Sequence, residues 1–181
     1  MPLVPFLPIV KGESLTSYLV RVAQFHANMD LDVFLRFIEF PQCNLMKLED
    51  AMIDRLAALL SVPQAELEKM AFVSVAERKR RFCGEEFHAE FANLAMTSYC
   101  PACLLDDTKS ESDTAGHRLG RIDWMIEHHR TCATHNIGLV RRKNTSHMEK
   151  LQLMSMVAPD DLELERLVNS APKQRVSDLQ H

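Results

Sequence analysis

The apolar residues of the first forty positions recur at helical spacing. In the segment "ESLTSYLVRVAQFHAN" they predict one helix, with Ser14 at its N-cap. The segment "LDVFLRFIEF" predicts a second helix, which Pro41 ends. We interpret both apolar stripes as core-facing. Their members are Leu15, Tyr18, Leu19, Val22, Ala23 and Phe25 in the first helix, and Leu31, Phe34, Leu35 and Ile38 in the second.

A further pair of helices is predicted in the segment "RLAALLSVPQAELEKM". Leu60 precedes a tight turn at Ser61, and Pro63 suits the first turn of the next helix. This pattern is typical of a helix-turn-helix, and an ordinary helical hairpin has the same pattern. The second helix carries Glu66 and Glu68 where phosphate would approach, which disfavours direct reading of DNA by this unit.

Two residue pairs with the same spacing indicate a metal site. Cys100 and Cys103 enclose two residues, as do Cys132 and His135, and 28 residues separate the two pairs. Each such turn, or knuckle, directs its donors towards one point, and two knuckles supply the four ligands of a tetrahedral zinc ion. Four protein ligands leave no open position for water. The spacing therefore favours one structural Zn²⁺ over a catalytic one.

Other interpretations of these residues stay open. A redox pair at Cys100 and Cys103 would follow a buried strand, and the sequence before Tyr99 predicts no such strand. A catalytic zinc would keep only three of the four ligands. The histidines that could replace the fourth ligand are His117, His128 and His129. The segment "RIDWMIEHH" forms a strand or a short helix, with Trp124 packed over the metal site.

The remaining segments define the predicted architecture. After Phe72 the segment "AERKRRFCGEEFHAEF" is interpreted as a connector, and "DDTKSESDTAG" (106–116) as a polar loop. We predict a helical helix-turn-helix module over 1–80, a zinc-binding module over 81–145 and a C-terminal helical segment over 146–181. With only five glycines in the chain, the expected fold class is mainly α, with a small zinc-knuckle or zinc-ribbon module between helical parts.

Composition and charge narrow the class of protein. The chain of 181 residues is 46% hydrophobic and 25% charged, which is typical of a globular protein, and no apolar run approaches the ~18 residues of a membrane span. Five cysteines and no secretory signal predict a cytoplasmic protein without disulfides. The net charge of −4 argues against binding nucleic acid over the whole surface. Two basic clusters are nevertheless either solvated faces or phosphate contacts: Arg78, Lys79, Arg80 and Arg81, and Arg141, Arg142 and Lys143.

Three stretches together carry a family resemblance. They are "ESLTSYLVRVAQFH", "RLAALLSVPQAELEKMAF" and "YCPACLLDD…RIDWMIEHHRTCATHNIGLV", which span about residues 1–140. With them the chain resembles the TniQ/TnsD family of transposition target-selection proteins, and the knuckle block with Trp124 is the specific part. Unlike many members, the chain has no second cysteine knuckle after His135. It looks like a short or truncated form.

The resemblance implies a non-catalytic adaptor in DNA transposition. Such proteins connect target DNA or a target-recognition complex, in some cases an RNA-guided CRISPR effector, to an AAA+ ATPase that recruits the transposase. The resemblance places the zinc ligands at Cys100, Cys103, Cys132 and His135. The sequence also shows no nucleophile motif and no glycine-rich phosphate loop, so we expect no enzyme activity.

Two points about function stay open at this stage. A small zinc-containing helix-turn-helix transcriptional regulator is the alternative to the adaptor, although its acidic second helix and the negative net charge disfavour it. The apolar helices are also compatible with a homodimer. We expect no membrane partner.

Overall fold

A computed structural model of the chain describes residues 3–41, 45, 47–93, 95–109, 118–146, 149 and 152–172. Within these residues the helices are α1 Leu15–Ala27, α2 Leu31–Phe37, α3 Asp50–Leu60, α4 Gln64–Glu68, α5 Pro101–Lys109, α6 Met154–Val157 and α7 Asp161–Ser170. The strands are β1 Val73–Ala76, β2 Lys79–Phe82, β3 Glu85–His88, β4 Met96–Tyr99 and β5 Val140–Lys143. Short 3-10 turns lie at Ala89–Phe91 and Asp123–Met125. The chain thus combines helices with two small sheets and is more mixed than the mainly α chain that we predicted.

The first helix forms as its sequence predicts. The Ser14 side chain accepts a hydrogen bond from the backbone N–H of Ser17 and so caps α1. Asn28 ends the helix with a φ of 50°, a left-handed conformation that asparagine tolerates. The predicted apolar face is buried except for Phe25, which is 55% exposed, so its assignment to the core was wrong. Phe25 lies close to the end of α1, and its ring lies outside the core.

The next three helices enclose the N-terminal core. In α2 the side chains of Leu31 and Phe34 are buried, and the helix ends at Phe37, before Pro41 is reached. In α3 the buried residues are Ile53, Leu56 and Leu60. Ser61, with a φ of 54°, turns the chain into α4. This second helix of the predicted helix-turn-helix has five residues and ends at Glu68, short of the predicted Met70.

A three-stranded antiparallel sheet replaces the predicted connector after Phe72. In its order β1-β2-β3, Val73 pairs with Arg81 and Arg80 pairs with Phe87. The connector interpretation was wrong because the charged side chains belong to two short paired strands, in which Arg80 is buried and most of the other charged residues are exposed. The proposed boundary near residue 80 falls within β2, and the three-part division stays a prediction.

The second sheet and two helices form the C-terminal core. Strand β4 pairs antiparallel with β5, with Tyr99 opposite Val140. Helix α7 packs on α5 and brings the fully buried Leu164 against Leu104. An aspartate caps α7: the Asp160 side chain accepts a hydrogen bond from a backbone N–H in the first turn. The predicted C-terminal helical segment includes residues 147, 148, 150, 151 and 173–181, which lie outside the described residues.

Hydrogen bonds join the two cores at the start of α1. The Ser14 N–H donates to the Gly120 carbonyl at 2.8 Å, and the Gly120 N–H donates to Ser17 Oγ at 3.0 Å. Glu13 and Arg121 form an isolated antiparallel bridge beside these bonds. A Cβ atom at Gly120 would lie 3.4 Å from Ser14 Oγ and Ser17 Cβ, so the two chain segments are in van der Waals contact there. The segment before the second knuckle is therefore anchored to the N-terminal helix.

No helix in the described part of the chain has the length and apolar character needed to cross a membrane.

Candidate metal centre

A strand and a helix position the first knuckle. Strand β4 ends at Tyr99, Cys100 follows, and Pro101 opens α5, whose first turn carries Cys103. Proline suits this position because the first turn of a helix does not use its N–H. The prediction that no strand precedes Tyr99 was wrong: β4 has only four residues and its two central ones are Thr97 and Ser98, so its sequence resembles a loop. The second knuckle nevertheless lies against both thiols, which favours a metal site over a redox pair.

Backbone hydrogen bonds shape the second knuckle. The Asn136 N–H donates to the Cys132 carbonyl at 2.9 Å, and the Cys132 N–H donates to the Ile137 carbonyl at 2.9 Å. Asn136 has a φ of 55°, and a bridge between Thr131 and Gly138 closes the loop. These bonds turn the Cys132 and His135 side chains towards the same side. The loop thus forms a compact hairpin with both donors on its inner face.

The four predicted ligands come together at one point. The Sγ atoms of Cys103 and Cys132 are 3.6 Å apart, and His135 Nδ1 lies 3.3 to 3.6 Å from the three Sγ atoms. All four donor atoms lie within 4.8 Å of one another. Ligands bonded to a tetrahedral zinc are about 3.5–3.8 Å apart, given zinc–sulfur and zinc–nitrogen bonds of about 2.3 and 2.0 Å. Cys100, Cys103, Cys132 and His135 could therefore bind one metal ion.

The close packing of three thiols shifts their pKa values. The hydrogen bond with Cys103 is the largest single influence on the pKa of Cys100 and lowers it, but the hydrogen bond with Cys132 and burial together raise that pKa to about 11. The pKa of Cys103 is raised by hydrogen bonds with Cys100 and Cys132 and by burial. The pKa of Cys132 is lowered, because both neighbouring thiols donate to it. Since thiolates are the metal-binding form, a cation binding here displaces protons from Cys100 and Cys103.

A carboxylate that we did not single out orients the histidine. His135 Nε2 lies 2.9 Å from Oδ2 of Asp106, while Nδ1 faces the thiols. A proton on Nε2, donated to the carboxylate, leaves the Nδ1 lone pair free for a metal, which is the arrangement typical of metal-bound histidines. Asp106 was predicted to begin a polar loop, but α5 continues to Lys109 and places Asp106 one turn after Cys103. The signal in the sequence for the role of Asp106 is its helical spacing of three residues from Cys103.

A cation and the single tryptophan lie beside the thiols. Arg121 makes a bidentate ion pair with Asp107, at 2.7 and 3.1 Å, and its guanidinium lies 4.9 Å from the Trp124 ring centroid. The positive charge of Arg121 lowers the pKa of Cys103, although this effect is smaller than the raising ones. Trp124 is buried in the same apolar cluster as the three cysteines, as expected, within a 3-10 turn. The site is thus supported on one side by a neutralised cation and an aromatic ring.

The other histidines and cysteines that the structure describes do not join the cluster. His129 contacts Asp123, its Nδ1 lying 3.1 Å from that residue's carbonyl oxygen, and His128 stacks edge-on against Phe91. Cys83 is an exposed free thiol. His117 and Cys43 lie outside the described residues.

Acidic partners neutralise most of the first basic cluster. Arg78 pairs with Glu90, Lys79 with Glu86 at 3.2 Å, and Arg81 with both Asp50 and Glu68. The Arg80 side chain is buried and donates to Ser74 Oγ and to the carbonyls of Ala76 and Lys79. The cluster therefore presents little unpaired positive charge to a phosphate backbone.

The second basic cluster forms strand β5. Arg141 pairs with Glu127 at 2.9 Å, and Arg142 pairs with Glu149 at 3.0 Å. Lys143 is exposed at the end of the strand. The role of both clusters in binding nucleic acid stays a prediction, and the ion pairs weaken the electrostatic argument for it.

Fold and site together define a helical protein with two small sheets and a Cys₃His cluster that could bind one metal ion. The TniQ family model matches residues 4–139, and the chain therefore belongs to the TniQ family. This confirms the resemblance on which the sequence analysis relied. The family has a role in target selection during DNA transposition and is non-catalytic. No curated protein shows a significant match to the chain.

Proposed function

We propose that this chain is a target-selection adaptor that connects a target-recognition complex, or target DNA, to an AAA+ transposition ATPase. The observation that carries the proposal is the family match over residues 4–139. The element that the adaptor recognises is either target DNA itself or a protein complex on that DNA, such as an RNA-guided CRISPR effector. The adaptor contributes no chemical step of its own.

The distribution of exposed apolar side chains supports a protein partner at the N-terminus. Five of the eight large apolar side chains that are exposed in the described residues lie before residue 42: Val4, Phe6, Phe25, Val33 and Phe37. Exposed aromatic rings are enriched at protein interfaces, where they anchor a partner. We assign the ATPase contact to this N-terminal apolar surface, defined by these five residues.

Direct DNA reading is less well supported. Helix α4 has five residues, and its acidic Glu66 and Glu68 are engaged by Lys69 and Arg81. Because the cations of the basic clusters are held in ion pairs, few of them are available to contact phosphates. DNA binding by the chain alone is therefore weak and salt-sensitive. These features favour the adaptor over the transcriptional regulator.

The metal centre, in this proposal, holds one structural Zn²⁺. Cys100, Cys103, Cys132 and His135 supply a closed set of four donors, with Asp106 fixing the histidine ring. Bound zinc supplies a cross-link between two knuckles that are far apart in the chain. These residues thereby hold the β4–α5 corner against the loop that precedes β5.

The adaptor proposal is tested by association with the cognate AAA+ ATPase. We expect the zinc-loaded chain to be retained by the ATPase assembled on DNA with nucleotide, and more strongly than by DNA alone. Replacing Phe6 and Phe37 by serine should weaken retention about tenfold, because interface aromatic residues dominate binding free energy. The matched control is Phe91→Ser with Leu162→Ser, which removes two exposed apolar side chains elsewhere.

Two results would contradict the proposal. One is the absence of association under every combination of DNA and nucleotide by a folded, zinc-loaded chain. The other is tight, sequence-specific DNA binding by the chain alone at physiological salt, which would favour the regulator. Equal loss of retention in the test and control variants would refute the assignment to the N-terminal apolar surface.

A further inference from the structure

An exposed aromatic pair lies beside the cations of strand β5. Phe91, which is 48% exposed, contacts the exposed imidazole of His128, with 5.4 Å between the ring centroids and 63° between the ring planes. We propose that this pair and the neighbouring cations bind a single-stranded segment of nucleic acid, with a base stacked on Phe91 and phosphates at Arg130 and Lys143. This site is separate from the N-terminal apolar surface and does not rest on the ATPase assignment.

The contacts of Glu127 place the rings and the cations next to each other. The Glu127 N–H donates to the Phe91 carbonyl at 2.7 Å, and His128 follows Glu127 in the chain. The Glu127 carboxylate accepts a hydrogen bond from Arg130 at Oε1 and another from Arg141 at Oε2, each at 2.9 Å. The aromatic pair is therefore joined directly to the residue whose carboxylate both guanidinium groups contact.

Positive charge exceeds negative charge at this carboxylate. Arg141, with 12% of its side chain exposed, and Arg130, with 55% exposed, share the single charge of Glu127. Lys143 lies two residues beyond Arg141, on the same face of β5. It is exposed and makes no ion pair within the residues that the structure describes. The more exposed cations, Arg130 and Lys143, are thus incompletely neutralised and accessible to an anion.

A ring beside incompletely neutralised cations favours a nucleotide chain as the ligand. Proteins that bind single strands combine cations along the backbone with aromatic side chains on which bases stack. Each nucleotide carries both a planar base and a phosphate, so a short segment engages both parts of the site. The carboxylate of Glu90, next to Phe91, is paired with Arg78 and so repels a phosphate only weakly. In a duplex the base faces are stacked on one another, so only a single strand can use the ring.

Fluorescence anisotropy of labelled oligonucleotides measures this binding with the zinc-loaded full chain. The probes are oligothymidylate and oligouridylate of about 12 residues, a length within the usual range of single-strand sites, and a DNA duplex of the same length. At low salt we expect the single strands to bind with a Kd of about 10⁻⁵ M. They should bind at least about fivefold more tightly than the duplex, because the duplex withholds its base faces. Tighter binding of one oligomer would identify DNA or RNA as the source of the strand.

Variants separate stacking from charge. Phe91→Leu keeps an apolar side chain but removes the ring, and it should weaken single-strand binding about tenfold, whereas Phe91→Trp should retain it. Lys143→Gln and Arg130→Gln should each reduce the slope of log affinity against log salt concentration by about 0.7. The matched controls are Phe37→Leu and Lys11→Gln, which change an exposed ring and an exposed lysine elsewhere on the chain. Both controls should leave the affinity and the slope unchanged.

Four results would overturn the proposal. The first is no binding of either oligomer at low salt. The second is equal affinity for the duplex and the single strands, and the third is unchanged affinity in Phe91→Leu; either would show that no base stacks on the ring. The fourth is polyglutamate of the same charge binding as tightly as the oligomers, which would indicate an acidic protein segment. Circular dichroism checks that Phe91→Leu is folded, and the salt slope of Lys143→Gln tests the site independently of that variant.

Discussion

Replacing Glu13 by glutamine removes one charge from an ion pair at the base of α1. The Glu13 and Arg21 side chains are 0% and 3% exposed. Arg21 Nε donates to Oε1 at 2.8 Å and its terminal nitrogen donates to Oε2 at 2.7 Å, while Ser17 Oγ donates to Oε1 at 2.9 Å. Arg21 also donates to the Pro8 carbonyl at 3.1 Å. The pair therefore fixes the segment that leads into α1.

The expected cost follows from burial. Removing one partner of a buried pair leaves an uncompensated charge and costs about 3–5 kcal/mol. Glutamine keeps the shape and one acceptor oxygen, so we expect the lower end, about 3 kcal/mol. For a urea m-value of about 2 kcal/mol/M, this lowers the midpoint of unfolding by about 1.5 M.

Urea unfolding followed by circular dichroism measures this change. The matched control is Asp32→Asn on α2, whose partner Arg36 lies 3.1 Å away with 62% of its side chain exposed. An exposed pair of this spacing contributes about 0.3–0.5 kcal/mol, so the control midpoint should move by about 0.2 M. A Glu13→Gln midpoint that moves no further than the control would refute the reasoning that the buried pair stabilises the N-terminal core.

Three further predictions concern pH, the histidine support and the helix cap. Burial, opposed by the charge of Arg21, raises the pKa of Tyr18 to about 12 from its ordinary 10.0. The folded state therefore keeps a proton that the unfolded state loses, and the free energy of unfolding should fall by up to about 3 kcal/mol as pH rises from 10 to 12; Tyr18→Phe should remove most of this slope in urea titrations. Asp106→Asn should speed zinc release to a chelator about tenfold, because Nε2 of His135 exchanges a negatively charged acceptor for a neutral amide oxygen, and an unchanged rate would contradict that role. Ser14→Ala should lower the free energy of unfolding by about 1 kcal/mol through loss of the cap, and a change within error would show that Gly120 alone fixes this end of α1.

Local patterns explain which elements could be predicted from the sequence. Helix α1 has a cap, an apolar stripe and a permissive C-cap within sixteen residues, so its sequence signals agree with one another. The two knuckles are short turns whose spacing alone directs their donors inward. Their meeting requires only that the fold bring two loops together. The Cys₃His cluster could therefore be predicted from the sequence.

The sheet of β1, β2 and β3 was missed because its strands are only four residues long and because β2 and β3 are strongly charged. The sequence does contain one signal for the hairpin of β2 and β3. Cys83 and Gly84 separate β2 from β3, with φ values of 50° and 85°, which is the conformation of a two-residue type I′ hairpin turn. Gly84 followed by polar residues resembles a connector unless the pairing of the flanking segments is known.

The state of the basic clusters could not be predicted from composition. Arg81 pairs with Asp50, 31 residues away, and Arg141 pairs with Glu127, 14 residues away. Such partners depend on the tertiary fold and leave no local pattern. The same holds for the Asp107–Arg121 pair beside the metal centre. A run of cations in the sequence therefore overestimates the charge that a surface presents.

The metal content of the chain tests the central structural claim most directly. Native mass spectrometry of protein purified without added metal should show one zinc ion per chain, and Cys103→Ser should show none. Because structural zinc contributes about 10 kcal/mol of folding free energy in small modules, that variant should also lose the ordered amide signals of the β4–β5 region while α1 to α3 stay folded. A wild-type chain that is free of metal and fully folded over β4, α5 and β5 would contradict the account.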